Sequence, residues 1–178
     1  MTTVPSFSAK HWIDTNSRGG QALARESVDA VSNFTLMWNI FEGAVCGTNA
    51  KIPVFEKCAN KIGRHSSLPR AIEDGVRFWR QRYVTEGEFN RQFERLWSWP
   101  RDSRKHVEAV LRSEKNDPES QLLAVMIVIH RLRNNLFHGR KEINTLNDQV
   151  CNLTMACQVL AAIVEASGTP MIVVKEAA

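Results

Sequence analysis

Only four cysteines occur in the 178 residues: Cys46, Cys58, Cys151 and Cys157. None forms a Cys-x-x-Cys pair and no histidine stands at zinc-ligand spacing from any of them, so they read as buried thiols, and no metal or other cofactor is expected. Long apolar runs are also missing. The longest, Leu122 to Ile129, falls far short of the roughly 20 residues of a membrane-spanning helix, and a soluble protein is expected. The first residues, Met1-Thr2-Thr3-Val4-Pro5, have neither a basic stretch leading into an apolar one nor a small-residue cleavage site, which points to the cytoplasm. Charge of one sign is scarce as well: Lys plus Arg exceed Asp plus Glu by 23 to 19, compatible with a polyanionic partner without demanding one. Internal repeats and low-complexity stretches are absent. With 43% apolar and 24% charged residues, the composition is that of a globular chain with one sizeable core.

What the chain does have is helical periodicity, with glycine and proline falling between the periodic segments and Gly43 the main exception. Val31, Phe34, Trp38, Phe41 and Val45 step by three and four along one stripe, predicting a long helix that ends near Gly47. A shorter helix follows Pro53 with Phe55, Ala59 and Ile62 on one side, closing near Gly63. Pro69 opens another, carrying Ile72, Val76, Trp79 and Tyr83. Thr85 and Glu88 have capping-box spacing ahead of Phe89, Phe93, Leu96 and Trp97, a segment ended by Trp99-Pro100. Asp102 or Ser103 can cap a short basic helix through Val107, Val110 and Leu111. Asp117-Pro118 starts the helix holding Leu122 to Ile129, too apolar all round for a surface helix and therefore the central buried one. Leu146, Val150, Leu153, Cys157, Leu160 and Val164 form a heptad-like seam about twenty residues long. Met171 to Val174 has strand propensity but no partner strand and reads as a docked tail. The expected fold class is all-α, an up-and-down bundle of four principal helices with shorter ones inserted between about residues 50 and 117. One domain spans 1–178, with a short flexible N-terminus to about residue 20 and the docked tail from about 168.

One stretch stands apart, His130-Arg131-Leu132-Arg133-Asn134-Asn135-Leu136-Phe137-His138-Gly139-Arg140-Lys141, which continues the most buried helix with cations, imidazoles and amides. Such a density of polar groups has to lie at a surface, cleft or interface unless paired. Charges alone are also explained by a basic helix end, where cations complement the macrodipole and Gly139 terminates the helix. The order Arg-Asn-Asn-Leu-Phe-His-Gly, however, resembles the Arg-x(4)-His signature of the HEPN superfamily in its Arg-Asn-x-x-x-His form. Trp38-Asn39-Ile40-Phe41-Glu42 is similar to the family too, where an early helix often supplies a polar residue near the motif.

The resemblance implies a small dimeric helical domain and, in active members, a metal-independent endoribonuclease of toxin–antitoxin, abortive-infection and other defence systems. Other HEPN domains are non-catalytic binding or dimerisation modules that regulate a partner or bind a nucleotide. The family's Arg falls on Arg133, its Asn on Asn134 and its His on His138. RNA carries its own nucleophile, so cleavage needs a base for the 2′-OH, a cation for the phosphorane and an acid for the 5′ oxygen. Neutral His138 suits the base, Arg133 the electrostatic clamp, and Asn134 can orient the imidazole or hydrogen-bond the phosphate.

Arg133 and His138 stand about 140° apart on a regular helix. Either the long Arg side chain reaches round, the helix bends near Asn135, or the pair works with its copy in a homodimer whose motifs meet at the interface; the last is preferred. Supporting candidates are Glu42, as a carboxylate that orients Arg133 or as a solvated helix charge, and His130, lining the same cleft or sitting near an interface. Arg131, Arg140 and Lys141 would extend contact along the RNA phosphates or else be solvated. His11, His65 and His106 read as surface residues. Trp79, Trp97 and Trp99 could stack bases, though their helical spacing favours core packing. An antitoxin or regulatory protein is the further partner implied.

Overall fold

The computed structural model describes residues 6–16, 23–64, 67–97, 103–137 and 143–169. Among them it is mostly helical, with eight α-helices packed together. These are α1 (Ala9–Asn16), α2 (Arg25–Ala44), α3 (Ile52–Gly63), α4 (Arg70–Tyr83), α5 (Arg91–Leu96), α6 (Arg104–Leu111), α7 (Pro118–Phe137) and α8 (Val150–Ser167). Two short antiparallel strands, β1 (Val84–Thr85) and β2 (Glu88–Phe89), pair between α4 and α5, and a 3₁₀ segment, Ile143–Gln149, precedes α8.

The helical stripes of the sequence point inward. Phe34, Trp38 and Phe41 of α2, Phe55, Ala59 and Ile62 of α3, and Ile72, Val76, Trp79 and Tyr83 of α4 are all buried. They join one apolar cluster with Val107, Val110 and Leu111 of α6 and with the α7 run, of which only Leu123 is partly exposed. Seven of those eight consecutive side chains can be buried because α3, α4 and α6 all pack on α7. Asp117 starts that helix as expected, its Oδ1 accepting from the Ser120 N–H at 2.8 Å. Close approach of α3 is set by Gly63: a Cβ there would lie 2.9 Å from the Glu119 Cα and 2.6 Å from its Cγ.

Several expectations are corrected. Thr85 and Glu88 do not cap a helix; they pair across a hairpin whose turn residues, Glu86 and Gly87, have φ of 52° and 83°. Positive φ at both turn positions matches the right-handed twist of paired strands, and glycine takes it without strain. The cap of α5 is Asn90, whose side chain accepts from the Gln92 and Phe93 N–H groups at 3.0 and 3.2 Å. The seam from Leu146 is not one continuous helix, because the 3₁₀ segment turns Asn147 toward the start of α2. There Asn147 Oδ1 accepts from the Ala24 N–H at 3.0 Å and the Ser27 hydroxyl at 2.7 Å.

α1 lies within the stretch read as a flexible N-terminus and buries none of its residues. Cys46 and Cys58 are buried, and burial pushes their thiols up to about 12 and about 11. Cys151 is exposed, while Cys157 of the seam is only partly buried, packed against the edge of the core. His106 is not free at the surface: its Nε2 lies 3.0 Å from the Ser120 carbonyl and ties α6 to α7. His65, Trp99 and the tail at 171–174 lie outside the described residues.

Thr145–Ser167 is long and apolar enough, by length and composition, to cross a membrane, with a mean hydropathy of 1.5. No uninterrupted apolar run marks it, because single polar residues such as Asn152 and Gln158 break the run without lowering the average much. Here 44% of that window is buried, and α8 packs on α2 and α4.

Candidate functional site

Arg133 and Asn134 lie in the last two turns of α7, where the helix leaves the core. Arg133 is half-buried, its guanidinium 5.7 Å from the Trp38 ring centroid and 5.2 Å from that of Phe137. Both distances are within cation–π reach, so α2 and the end of α7 hold the cation between two aromatic rings. Phe137 is half exposed. Arg133 Nη1 donates to Asn134 Oδ1 at 3.2 Å, whereas the buried Arg133 Nε has no hydrogen-bond partner among the described residues. A buried donor left unmade is costly, which makes this nitrogen a ready partner for an incoming acceptor.

One turn earlier, His130 stacks on Trp38 with ring centroids 5.8 Å apart and planes 13° apart, and meets Phe55 of α3 edge-on at 5.4 Å. Its Nε2 lies 3.3 Å from Asn134 Nδ2. Burial, with the Arg131 and Arg133 cations nearby and only partly opposed by Glu42, pushes the imidazole down to about 4. His130 is therefore neutral at pH 7 and belongs to the same cluster as the motif.

Glu42 accepts from the Trp38 indole Nε1 at 2.9 Å. It forms no ion pair with Arg133, although both contact the same tryptophan. Arg131 is corrected: it is 7% exposed, with its guanidinium 5.1 Å from the Trp97 centroid, and packs inward instead of lining a phosphate track. Trp79 and Trp97 are core residues, away from any base-stacking surface. Asn135 turns away from Asn134 and donates to the Leu96 carbonyl at 3.3 Å. His138, Arg140 and Lys141 lie outside the described residues.

The structure thus brings together Glu42, His130, Arg133 and Asn134. Sequence reasoning passed over the aromatic frame of Trp38, Phe55 and Phe137. Two signals were available, the i,i+4 pairs Trp38–Glu42 and Arg133–Phe137, each of which places its members on one helix face. Compared with family models, curated proteins and solved structures, the chain finds no match.

Proposed function

We propose that this protein is a metal-independent endoribonuclease of the HEPN type, a toxin or phage-defence effector that works in the cytoplasm as a homodimer. In this reading α2, α4, α7 and α8 are the four principal helices of an up-and-down bundle. The observation that carries it is the placement of Arg133: a guanidinium framed by two aromatic rings, with one buried donor unmet among the described residues, shortly before His138 in the chain.

Arg133 clamps the non-bridging phosphate oxygens, and Asn134 steadies that clamp. His138 removes the 2′-OH proton, and the 2′ oxygen attacks phosphorus. The bond to the 5′ oxygen breaks as His138 of the second copy protonates the leaving oxygen. The products are a 2′,3′-cyclic phosphate and a 5′-OH end. Arg140 and Lys141 would add phosphate contacts beyond the scissile bond.

The test incubates the protein with total RNA in EDTA beside Arg133→Ala and His138→Ala variants. Cleavage to cyclic-phosphate ends in wild type, lowered about 10²–10⁴-fold in either variant, is the expected result. Equal cleavage in all three would sink the reading. A dimer with one His138→Ala subunit is expected to lose most activity; a fully active one would contradict a shared site.

The half-burial of Arg133 between rings favours one second reading, a non-catalytic HEPN module that regulates a partner or binds a nucleotide, possessing the same frame but no cleavage. Absence of cleavage by clean wild-type protein, with nucleotide or antitoxin binding lost in Arg133→Ala, would establish that alternative.

A further inference from the structure

The cleavage chemistry does not itself use His130, yet the hydrogen-bond arithmetic around it is tightly determined. A guanidinium can only donate, so the Asn134 atom 3.2 Å from Arg133 Nη1 has to be the amide oxygen. The amide nitrogen then faces His130 Nε2 at 3.3 Å, and an NH₂ group can only donate as well. His130 Nε2 is therefore an unprotonated acceptor, and the neutral ring carries its proton on Nδ1. Turning the amide over would set two donors against each other at Arg133. The ring cannot easily swing away, because Trp38 lies flat on one face and Phe55 meets it edge-on.

The charged groups felt by the ring are Glu42 from α2 and Arg131 and Arg133 from α7; α3 contributes the apolar Phe55. Partial burial first, and then the charges of Arg131 and Arg133, oppose a second proton on the imidazole. Protonation would also place a donor against the Asn134 amide and break the chain at its first link.

We propose that His130 is a positioning residue, an acceptor locked in one tautomer that fixes the Asn134 amide and, through it, the direction of the Arg133 guanidinium. Its consequence for RNA cleavage rests on the nuclease reading above; the lock itself does not.

Two measurements test the lock without reference to activity. In ¹⁵N-histidine-labelled wild type at pH 7, long-range ¹H–¹⁵N spectra are expected to show His130 protonated at Nδ1 and bare at Nε2, the signal being assigned by its loss in His130→Gln. A protonated Nε2 overturns the proposal. The Arg133 Nη1–H signal, which carries the bond to Asn134, is expected to exchange slowly in wild type and in His130→Gln, whose amide oxygen can still accept from Asn134. In His130→Leu, which offers no acceptor, it should exchange fast; exchange as slow as in wild type overturns the proposal. Should His130→Leu fail to fold, the wild-type tautomer still decides.

A third arm reads RNA turnover. His130→Leu is expected to lower kcat on the order of 10- to 100-fold with KM within about twofold, and His130→Gln to restore most of it. Wild type that cuts no RNA would sink the nuclease reading and leave the spectra to judge His130.

Discussion

The two halves of α7 share one continuous helical backbone and solve opposite problems. From Leu122 to Ile129 there is no polar side chain, and burial asks only that neighbours fill the surrounding volume. From His130 to Phe137, leucines are interspersed with cations, amides and rings, and every polar group but Asn134, which bonds within the helix, leans on a particular partner from another element. Arg131 has Trp97, Asn135 has the Leu96 carbonyl, and His130 and Arg133 both have Trp38. The comparison teaches that the first half is tolerant of which apolar residue it holds and intolerant of charge. The second half is tolerant of charge and intolerant of a lost partner.

The sharpest break in that contrast is Ile129→Asp, which puts a carboxylate at a fully buried site without a counter-ion. A loss of more than about 4 kcal/mol is expected, read as the disappearance of a cooperative urea transition. One turn further on, Arg133→Ala should keep that transition, costing under about 2 kcal/mol for its ring contacts, while the proposed nuclease activity is the property it should abolish. Equal stability losses at the two positions would erase the distinction.

Gly63→Ala tests the packing side of the first half. The new methyl meets the Glu119 backbone, which cannot rotate aside, and overpacking of this kind costs about 1–3 kcal/mol. No change in the urea midpoint would mean that α3 can slide on α7.

The second half should reveal itself through pH. His130 takes its proton near 6.5 when unfolded and near 4 when folded, so between those values the unfolded chain binds more protons. Its contribution to stability is complete above pH 6.5 and is lost as pH falls toward 4. Urea midpoints of wild type minus His130→Gln should therefore shrink from pH 7.5 to 4.5, and a flat difference would contradict the burial of this ring. The smallest effect expected is that of Trp38→Phe. It keeps an aromatic face for His130 and Arg133 but removes the indole bond to Glu42, costing about 0.5–1.5 kcal/mol.

Elements whose formation depends on a periodic apolar stripe were legible in the sequence. α2, α3, α4, α6 and α7 all appear where spacing puts them, because a stripe that must be buried fixes both the helix and its inward face. The β hairpin was not legible, since Thr85-x-x-Glu88 satisfies the spacing of a capping box and of a two-residue turn equally well. What decides for the turn is Gly87 beside Glu86, followed by Asn90 as the actual cap. The 3₁₀ entry to α8 was invisible for a different reason. Asn147 serves the N-terminus of α2 more than a hundred residues away in sequence, and no local pattern carries that pairing.

For the candidate site, the resemblance of the motif singled out Arg133 and Asn134, that of the Trp38–Glu42 stretch pointed to Glu42, and His130 was offered by its place one turn before Asn134. The sequence also offered Arg131 as a phosphate contact, because spacing counts a cation without telling which way it turns; the Trp97 ring takes it inward.

By itself the sequence determined a helical chain, the dry course of α7 through its centre, and the composition of the polar segment that ends it. Those follow from local periodicity and from the cost of exposing eight consecutive apolar side chains. Only the tertiary structure decided that Trp38, Phe55, His130, Arg133 and Asn134 share one cluster and that Arg131 does not. Contacts between α2, α3 and α7 depend on how three stripes pack against one another, and that choice is made by volume and hydrogen-bond satisfaction among elements far apart in the chain.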